Sequence, residues 1–300
     1  MPFVLKKVKS IKGKKLNIFL TNNLNYPMKE VQRLVAKGRI FDLNMKSYHI
    51  SEEIKEEEIL MALFEGQTKG LKPLIEFKEF AVFDKPTSLM IHPISKKTPY
   101  SLLDEIRYHF GNSANACHRI DAETSGLVIV SKIKDAEIAL KDMFLQKKYH
   151  KSYLTIVQGC IKENLKIDSK IDKENGNIGV RMAIKDSGKE SLTTIKPIVY
   201  NKEKDQTLVE AIPLTGRQHQ IRIHLHSIGH TILGDPVYGI EDEITDSYLN
   251  KTLSTEDRIK YTKSNRLWLH ANYLEFAYKN VTYKIKSKND EILKEFYSNP

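Results

Sequence analysis

The stretch HRIDAETSGL, residues 118–127, decides how this chain is read. It compresses His118, Arg119, Asp121, Glu123, Thr124 and Ser125 into eight positions, and the apolar run GLVIVS, residues 126–131, follows at once. A short apolar run bounded by turn residues predicts a buried strand, so the polar cluster stands at a strand's entrance. A carboxylate held beside guanidinium groups is driven toward its ionised form, which would ready Asp121 as a nucleophile or base at neutral pH. The same residues also suit an ordinary turn, with Asp121 capping backbone groups and Arg119 solvated.

Working outward, EFAVFDKP, residues 79–86, alternates like a strand and stops at Pro86. Residues 133–148 place Ala136, Ala139, Leu140, Met143 and Phe144 on one helical face, and SYLTIVQG, residues 152–159, returns to strand. Next, TGRQHQIRIHLHSIGH, residues 215–230, opens with Thr215 and Gln218 at capping-box spacing and closes at Gly229, with Ile221, Leu225 and Ile228 as its buried stripe. Strand-like segments recur around 207–213, 268–276 and 281–286, and the charged stretch 241–265 reads as an insertion of helix and loop. The regular alternation of a doubly wound parallel sheet is missing. The expected fold is α+β, a mixed, largely antiparallel sheet with flanking helices, preceded by a small α/β module.

That module is basic. Lys6, Lys7, Lys9, Lys12, Lys14 and Lys15 give residues 1–15 the look of a solvated arm. MKEVQRLVAKG, residues 28–38, sets Met28, Val31, Leu34 and Val35 on one helical face and stops at Gly38; a turn into strand follows, then an acidic run before ILMALF. Gly70 and Pro73 punctuate a boundary, dividing the chain into an arm (1–14), a module (15–70) and a main domain (74–300).

Lysine and arginine outnumber acids 48 to 38 over 300 residues, a net +10 that favours a polyanionic partner. There is no signal-peptide pattern and no apolar stretch near the roughly 20 residues of a membrane span, so a cytoplasmic protein with no membrane partner is expected. Two cysteines build neither a disulfide framework nor a four-sulfur zinc site. His226 and His230 stand four apart as in a zinc helix, yet Ser227 occupies the glutamate's place and Gly229 ends the helix between them, so no metal site is expected. Arg217, His219, Arg222 and His224 supply donors for phosphates or carboxylates.

HRIDAETSGL resembles the signature of the RluA-type pseudouridine synthases, HRLD followed by two variable residues and TSGL. Further features match in the family's order: DKP at 84–86 with His92 and Pro93 following, KSY at 151–153, GRQHQIR at 216–222 with GDPVYG at 234–239, and RLWLHA at 266–271. They span roughly residues 78–276. Residues 15–70 more weakly resemble the S-four-like RNA-binding module that often precedes this catalytic domain, although KGRIF is followed by no asparagine-glycine hairpin. Ile120 replaces the usual leucine, and Ser88 stands where the family commonly has glycine, which bears on the turn after Lys85.

The resemblance implies isomerisation of uridine to pseudouridine within RNA, with no cofactor and no metal. Asp121 resembles the catalytic aspartate, Arg222 the arginine that pairs with it, and Tyr153 the tyrosine against the uracil face, able to accept a proton when ionised. Arg119 is assigned to substrate positioning, and Lys85, Lys151, Arg217 and His219 are candidate RNA or site contacts. Thr124, Ser125 and Gly126 would shape the turn, with Gly234, Asp235 and Tyr238 structural. Large-subunit ribosomal RNA is the expected substrate and transfer RNA the alternative, with the chain acting as a monomer. A non-catalytic RNA-binding protein would be marked by loss of the aspartate, which is present; a metal-dependent phosphoesterase would need a ligand set the histidine spacing does not offer.

Overall fold

A computed structural model describes residues 3–94 and 98–298. The chain forms two compact units, the first from residues up to 69 together with 93–112, the second from 70–92 and 113 onward.

In the first unit, strand β1 (Phe3–Lys9) pairs antiparallel with β3 (Glu58–Phe64), which also pairs with the short β2 (Ile40–Phe41). Helices α1 (Leu16–Asn22) and α2 (Met28–Ala36) pack Leu16, Phe19, Leu20, Val31 and Leu34 against Ile40, Ile59 and Met61 of the sheet. Residues 3–9 are thus a laddered strand rather than a solvated arm. Lysines at Lys6, Lys7 and Lys9 disguise its alternation; Lys6 pairs with Glu65 and Lys7 with Glu58, at the surface. Helix α3 (Leu102–Phe110) belongs to this unit although the sequence reading gave it to the main domain. The Lys69 N–H donates to Glu105 Oε1 at 2.6 Å, and Gly66 lies so close to the backbone of Asp104 and Tyr108 that a Cβ there would stand 2.6 Å away.

The second unit is built on a ten-stranded sheet. Its strands are β4 (Ile75–Glu76), β5 (Phe80–Lys85), β6 (Asn115–Ala116), β7 (Ser125–Ser131), β8 (Tyr149–Gln158), β9 (Leu165–Asp168), β12 (Leu192–Asn201), β13 (Gln206–Pro213), β14 (Leu269–Tyr278) and β15 (Val281–Lys286). A separate hairpin joins β10 (Ile171–Lys173) to β11 (Met182–Ile184). The main path runs β4-β5-β7-β14-β8-β13-β12-β9, antiparallel except where β14 meets β7. There His270 opposes Ser125 and Ala271 opposes Gly126 in parallel register. Gly126 sits at φ +111, and a Cβ would stand 2.4 Å from the Ala271 carbonyl oxygen, so only glycine admits this approach. A mixed, largely antiparallel α+β fold is therefore observed.

Helix α4 (Lys134–Leu145) covers one face with Ala136, Leu140 and Met143, packing on Leu127, Ile129 and Phe276; Ala139, expected on that stripe, is exposed. On another part of the sheet, α5 (Gln220–Ser227) packs Ile221 and Leu225 against Tyr153, Val157 and Val209. Helices α6 (Asp242–Leu249) and α7 (Thr255–Thr262) form the insertion, and α8 (Glu291–Tyr297) follows β15. Among the described residues no helix is long and apolar enough to cross a membrane.

The start of α5 departs from the expected capping box. Gln220, not Gln218, is the organising amide: its Oε1 accepts from Thr215 Oγ1 at 2.6 Å and from the Arg217 N–H at 3.0 Å, while its Nε2 donates to Leu192 O and Thr193 Oγ1, both at 3.0 Å. A buried amide with four partners outcompetes a surface one. Gln218 is exposed, His219 takes a left-handed conformation at φ +54, and Ile228 falls outside the stripe, 37% exposed.

Candidate active site

The loop from Cys117 to Thr124 joins β6 to β7 and is tied down at both ends. The Cys117 N–H donates to Ile129 O, and the Ile129 N–H donates to His118 Nε2 at 3.0 Å. Burial pulls the His118 pKa down to about 3, which keeps that nitrogen an acceptor. Past Asp121, Lys85 Nζ donates to Ala122 O at 2.9 Å and Thr87 Oγ1 to Glu123 O at 2.7 Å. The Glu123 carboxylate accepts from Ser88 Oγ at 3.1 Å and Arg258 Nη2 at 2.6 Å. Burial opposes its ionisation, and Arg258 with the Tyr248 and Ser88 hydroxyls more than offsets that, holding Glu123 below its ordinary pKa. Ser125 Oγ then meets His270 Nδ1 and Arg266 Nη2, each at 2.9 Å.

Ser88 shows how the turn after Lys85 survives without glycine. It adopts φ +59, the left-handed region where glycine has no penalty, and its hydroxyl finds the buried Glu123.

Asp121 stands at the mouth of a pocket whose lining includes Arg119, Thr124, Lys151, Tyr153, Thr215, Arg217, His219 and Arg222. Its side chain is 32% exposed, with Arg222 Nη1 at 3.5 Å and His219 Nε2 at 3.8 Å from Oδ2. Burial lowers the His219 pKa to about 4, so His219 is neutral at pH 7 and Arg222 is the cation beside Asp121. Arg222 is 3% exposed, and its hydrogen-bonded partner is Asp235, not Asp121: Nε and Nη2 grip Asp235 Oδ2 and Oδ1 at 2.8 and 2.7 Å. Burial would lower the Arg222 pKa, but Asp235 and then Asp121 raise it above the ordinary arginine value. Asp235 Oδ1 also accepts the Val237 and Tyr238 N–H groups at 2.9 and 3.1 Å.

Tyr153 projects from β8 and forms a buried wall of the pocket. Burial, with Asp121 and Tyr149 adding to it, raises its pKa above the ordinary phenol value, so its resting state is the neutral phenol rather than an ionised acceptor. Lys151 lines the same pocket with its ammonium 5.8 Å from the Tyr153 ring centre, and burial draws its pKa down to about 8. Arg119 is exposed at the rim, and Arg217 is held by Nε donating to Glu190 O at 3.1 Å.

Seven of the eight candidate side chains line this one pocket; the exception is Lys85. It is 0% exposed, bonded to the Pro86 and Ala122 carbonyls, and burial lowers its pKa to about 7. It supports the Asp121 loop through Ala122 O and does not line the pocket. Conversely, Asp235 and Tyr238, read as structural, reach the site's polar groups, with Tyr238 Oη 3.1 Å from His219 Nδ1. The signal was the GDPVYG match itself, an aspartate between glycine and proline next to a histidine- and arginine-rich helix.

A carboxylate on a pinned loop, a buried cation beside it and an aromatic wall across a polar cleft define an enzyme acting on a polar substrate. Residues 79–227 match the family described as RNA pseudouridylate synthase. An uncharacterized RNA pseudouridine synthase of Helicobacter pylori is 37% identical over 294 residues, covering 97% of this chain and 96% of that protein. Ribosomal large subunit pseudouridine synthase D of Nitrosomonas europaea is 34% identical over 174 residues, 56% of this chain and 50% of that one. The solved human RNA Pseudouridylate Synthase Domain Containing 1 shares the fold, with TM-score 0.61 and 24% identity over 76% of this chain and 87% of its own. The chain belongs to the RNA pseudouridine synthase family, of the RluA type, and is an isomerase acting on RNA.

Proposed function

We propose that this enzyme converts uridine to pseudouridine in large-subunit ribosomal RNA with Asp121 as its catalytic carboxylate. The observation that carries the chemistry is Arg222 beside a partly exposed Asp121 on a loop anchored from both sides. The ribosomal target rests on relatives such as the Nitrosomonas europaea protein, whose name states a large-subunit activity. Reaction at a glycosidic bond requires the nucleotide to leave the stack, which costs a few kcal/mol. Exposed Arg119 at the rim suits contact with the displaced strand, and Tyr153 suits packing against the uracil. Once the bond from uracil nitrogen 1 to ribose is cut, the base turns in the pocket, carbon 5 bonds to the sugar and gives up its proton, and nitrogen 1 ends with one, so the isomerisation balances with no co-reactant. The N-terminal unit, S-four-like in sequence, is assigned to RNA binding.

The test is pseudouridine mapping at single-nucleotide resolution in ribosomal and transfer RNA. Cells with the wild-type protein, without it, and with Asp121→Ala are compared. Ribosomal sites lost on deletion should return with wild type and not with Asp121→Ala. Sites lost only in transfer RNA would overturn the target, and restoration by Asp121→Ala would overturn the carboxylate's role.

A further inference from the structure

The N-terminal unit gathers cations that have no part in the pocket. Helix α2 ends in a Schellman turn: Gly38, at φ +52, donates its N–H to Val35 O at 2.8 Å, and Arg39 donates to Leu34 O at 3.0 Å. The turn delivers Arg39 beside β1, its guanidinium carbon 4.1 Å from the centre of the Phe3 ring. Arg107, near the end of α3, lies 4.5 Å from the centre of the Phe64 ring. Phe3 and Phe64 are register partners on β1 and β3, their rings edge to face at 5.4 Å. Two guanidiniums therefore stand on adjoining rings. Arg33 and Lys37 of the α2 end complete the group: after burial, Arg33 and Arg39 lower the pKa of Arg107, Arg33 lowers that of Arg39, and Arg39 and Arg33 lower that of Lys37.

Among the described residues no carboxylate forms an ion pair with Arg33, Lys37, Arg39 or Arg107, whereas Lys6 and Lys7 on the adjoining strand each have a glutamate. Asp104 and Glu30 act on Arg107 only at longer range, Asp104 accepting from the Ser101 N–H and Oγ through Oδ2 alone. The Nε atoms of Arg39 and Arg107 are buried without a partner. Crowding like charges on a half-buried surface destabilises a free protein, so the arrangement suits a polyanionic ligand. Arginines stacked on aromatic faces keep their planar donor edges free for phosphate oxygens.

We propose that Arg33, Lys37, Arg39 and Arg107 form a phosphate-binding site for the RNA backbone, assembled jointly by the chain before residue 69 and by helix α3 from the later segment. The inference rests on RNA being the substrate, and it names a contact that the S-four-like stretch alone, residues 15–70, lacks, namely Arg107. Its test is the binding of labelled ribosomal RNA fragments to the full-length protein across a salt series, for wild type, Arg33→Gln and Arg107→Gln. Each variant should bind up to about tenfold more weakly and lower the salt slope by about one. Arg33 is exposed on α2, so its variant keeps the site testable should Arg107→Gln fail to fold. Wild-type affinity and slope in a folded variant would overturn the site. Inorganic phosphate at matched ionic strength distinguishes the ligand's source: selective displacement of RNA from wild type by phosphate alone would make this a free-anion site and overturn the RNA assignment. Pseudouridine formation by the wild-type protein is measured separately, so a failed site and a failed activity give different results.

Discussion

Replacing Asp235 by alanine removes both oxygens that Arg222 grips and the acceptor of the Val237 and Tyr238 N–H groups. Arg222 and Asp235 are 3% and 2% exposed, so water cannot take the carboxylate's place. Removing one partner of a buried pair costs about 3–5 kcal/mol, and Asp121, 3.5 Å from Arg222 Nη1, keeps the cost here toward the lower end. Against a total stability of about 5–15 kcal/mol, that is a large fraction. Asp235→Asn keeps a carbonyl oxygen for the two N–H groups but not the charge, and it should cost less than Asp235→Ala. Urea unfolding reads both, and the single tryptophan, Trp268, buried in the second unit, reports on the unit that matters. A loss below about 1 kcal/mol for Asp235→Ala would refute the reasoning.

The pH dependence gives an independent check. Burial opposes ionisation of Asp235, but Arg222 together with the Val237 and Tyr238 N–H groups outweighs it and holds the folded pKa below the ordinary carboxylate value. A group depressed in this way contributes stability that is fully present above its unfolded pKa of about 3.9 and is lost as pH falls through its folded pKa. The gap between wild type and Asp235→Ala should stay level from about pH 5 to 8 and narrow only in stronger acid.

Lys85 predicts a rise of the same sign in an alkaline window. Its folded pKa of about 7 lies below the unfolded value, so the unfolded chain binds more protons between about pH 7 and 10.4 and the lysine's contribution to stability rises across that window. Denaturation series at several pH values should show Lys85→Met losing this rise, and parallel curves for the two proteins would count against it. Gly126→Ala, whose Cβ would meet the Ala271 backbone at 2.4 Å, should cost at least about 2 kcal/mol; an unchanged Tm would contradict the tight parallel seam. Ser88→Gly relieves a left-handed serine worth about 1–2 kcal/mol but loses a hydrogen bond of similar size to Glu123, so its stability should stay within about 1 kcal/mol of wild type by urea denaturation.

Strands β5, β7, β8, β13, β14 and β15 were legible because each is an uninterrupted or alternating apolar run between turn residues. β1 was not, because lysines take three of its seven positions, Val4 and Leu5 are exposed too, and its order comes from the distant strand β3. The parallel register of β7 with β14 is a long-range match that no local pattern encodes. Likewise α3 carries a clear capping box at Ser101 and Asp104, yet nothing local says which unit it joins. In the site, motif order brought Asp121, Tyr153, Lys151 and Arg222 to one pocket, while Lys85 turned inward because two backbone carbonyls beneath the loop needed a donor.

The partner of Arg222 was the least legible feature, and it bears most directly on chemistry. A carboxylate gripped by a planar fork has its lone pairs committed and its basicity reduced. Arg222 spends that fork on Asp235, which is buried, and leaves Nη1 at 3.5 Å from Asp121, which makes no side-chain hydrogen bond among the described residues. Asp121 therefore receives the field of a cation while its oxygens stay free toward the pocket. Two aspartates share one guanidinium, and the one without the hydrogen bonds is the one that lines the pocket.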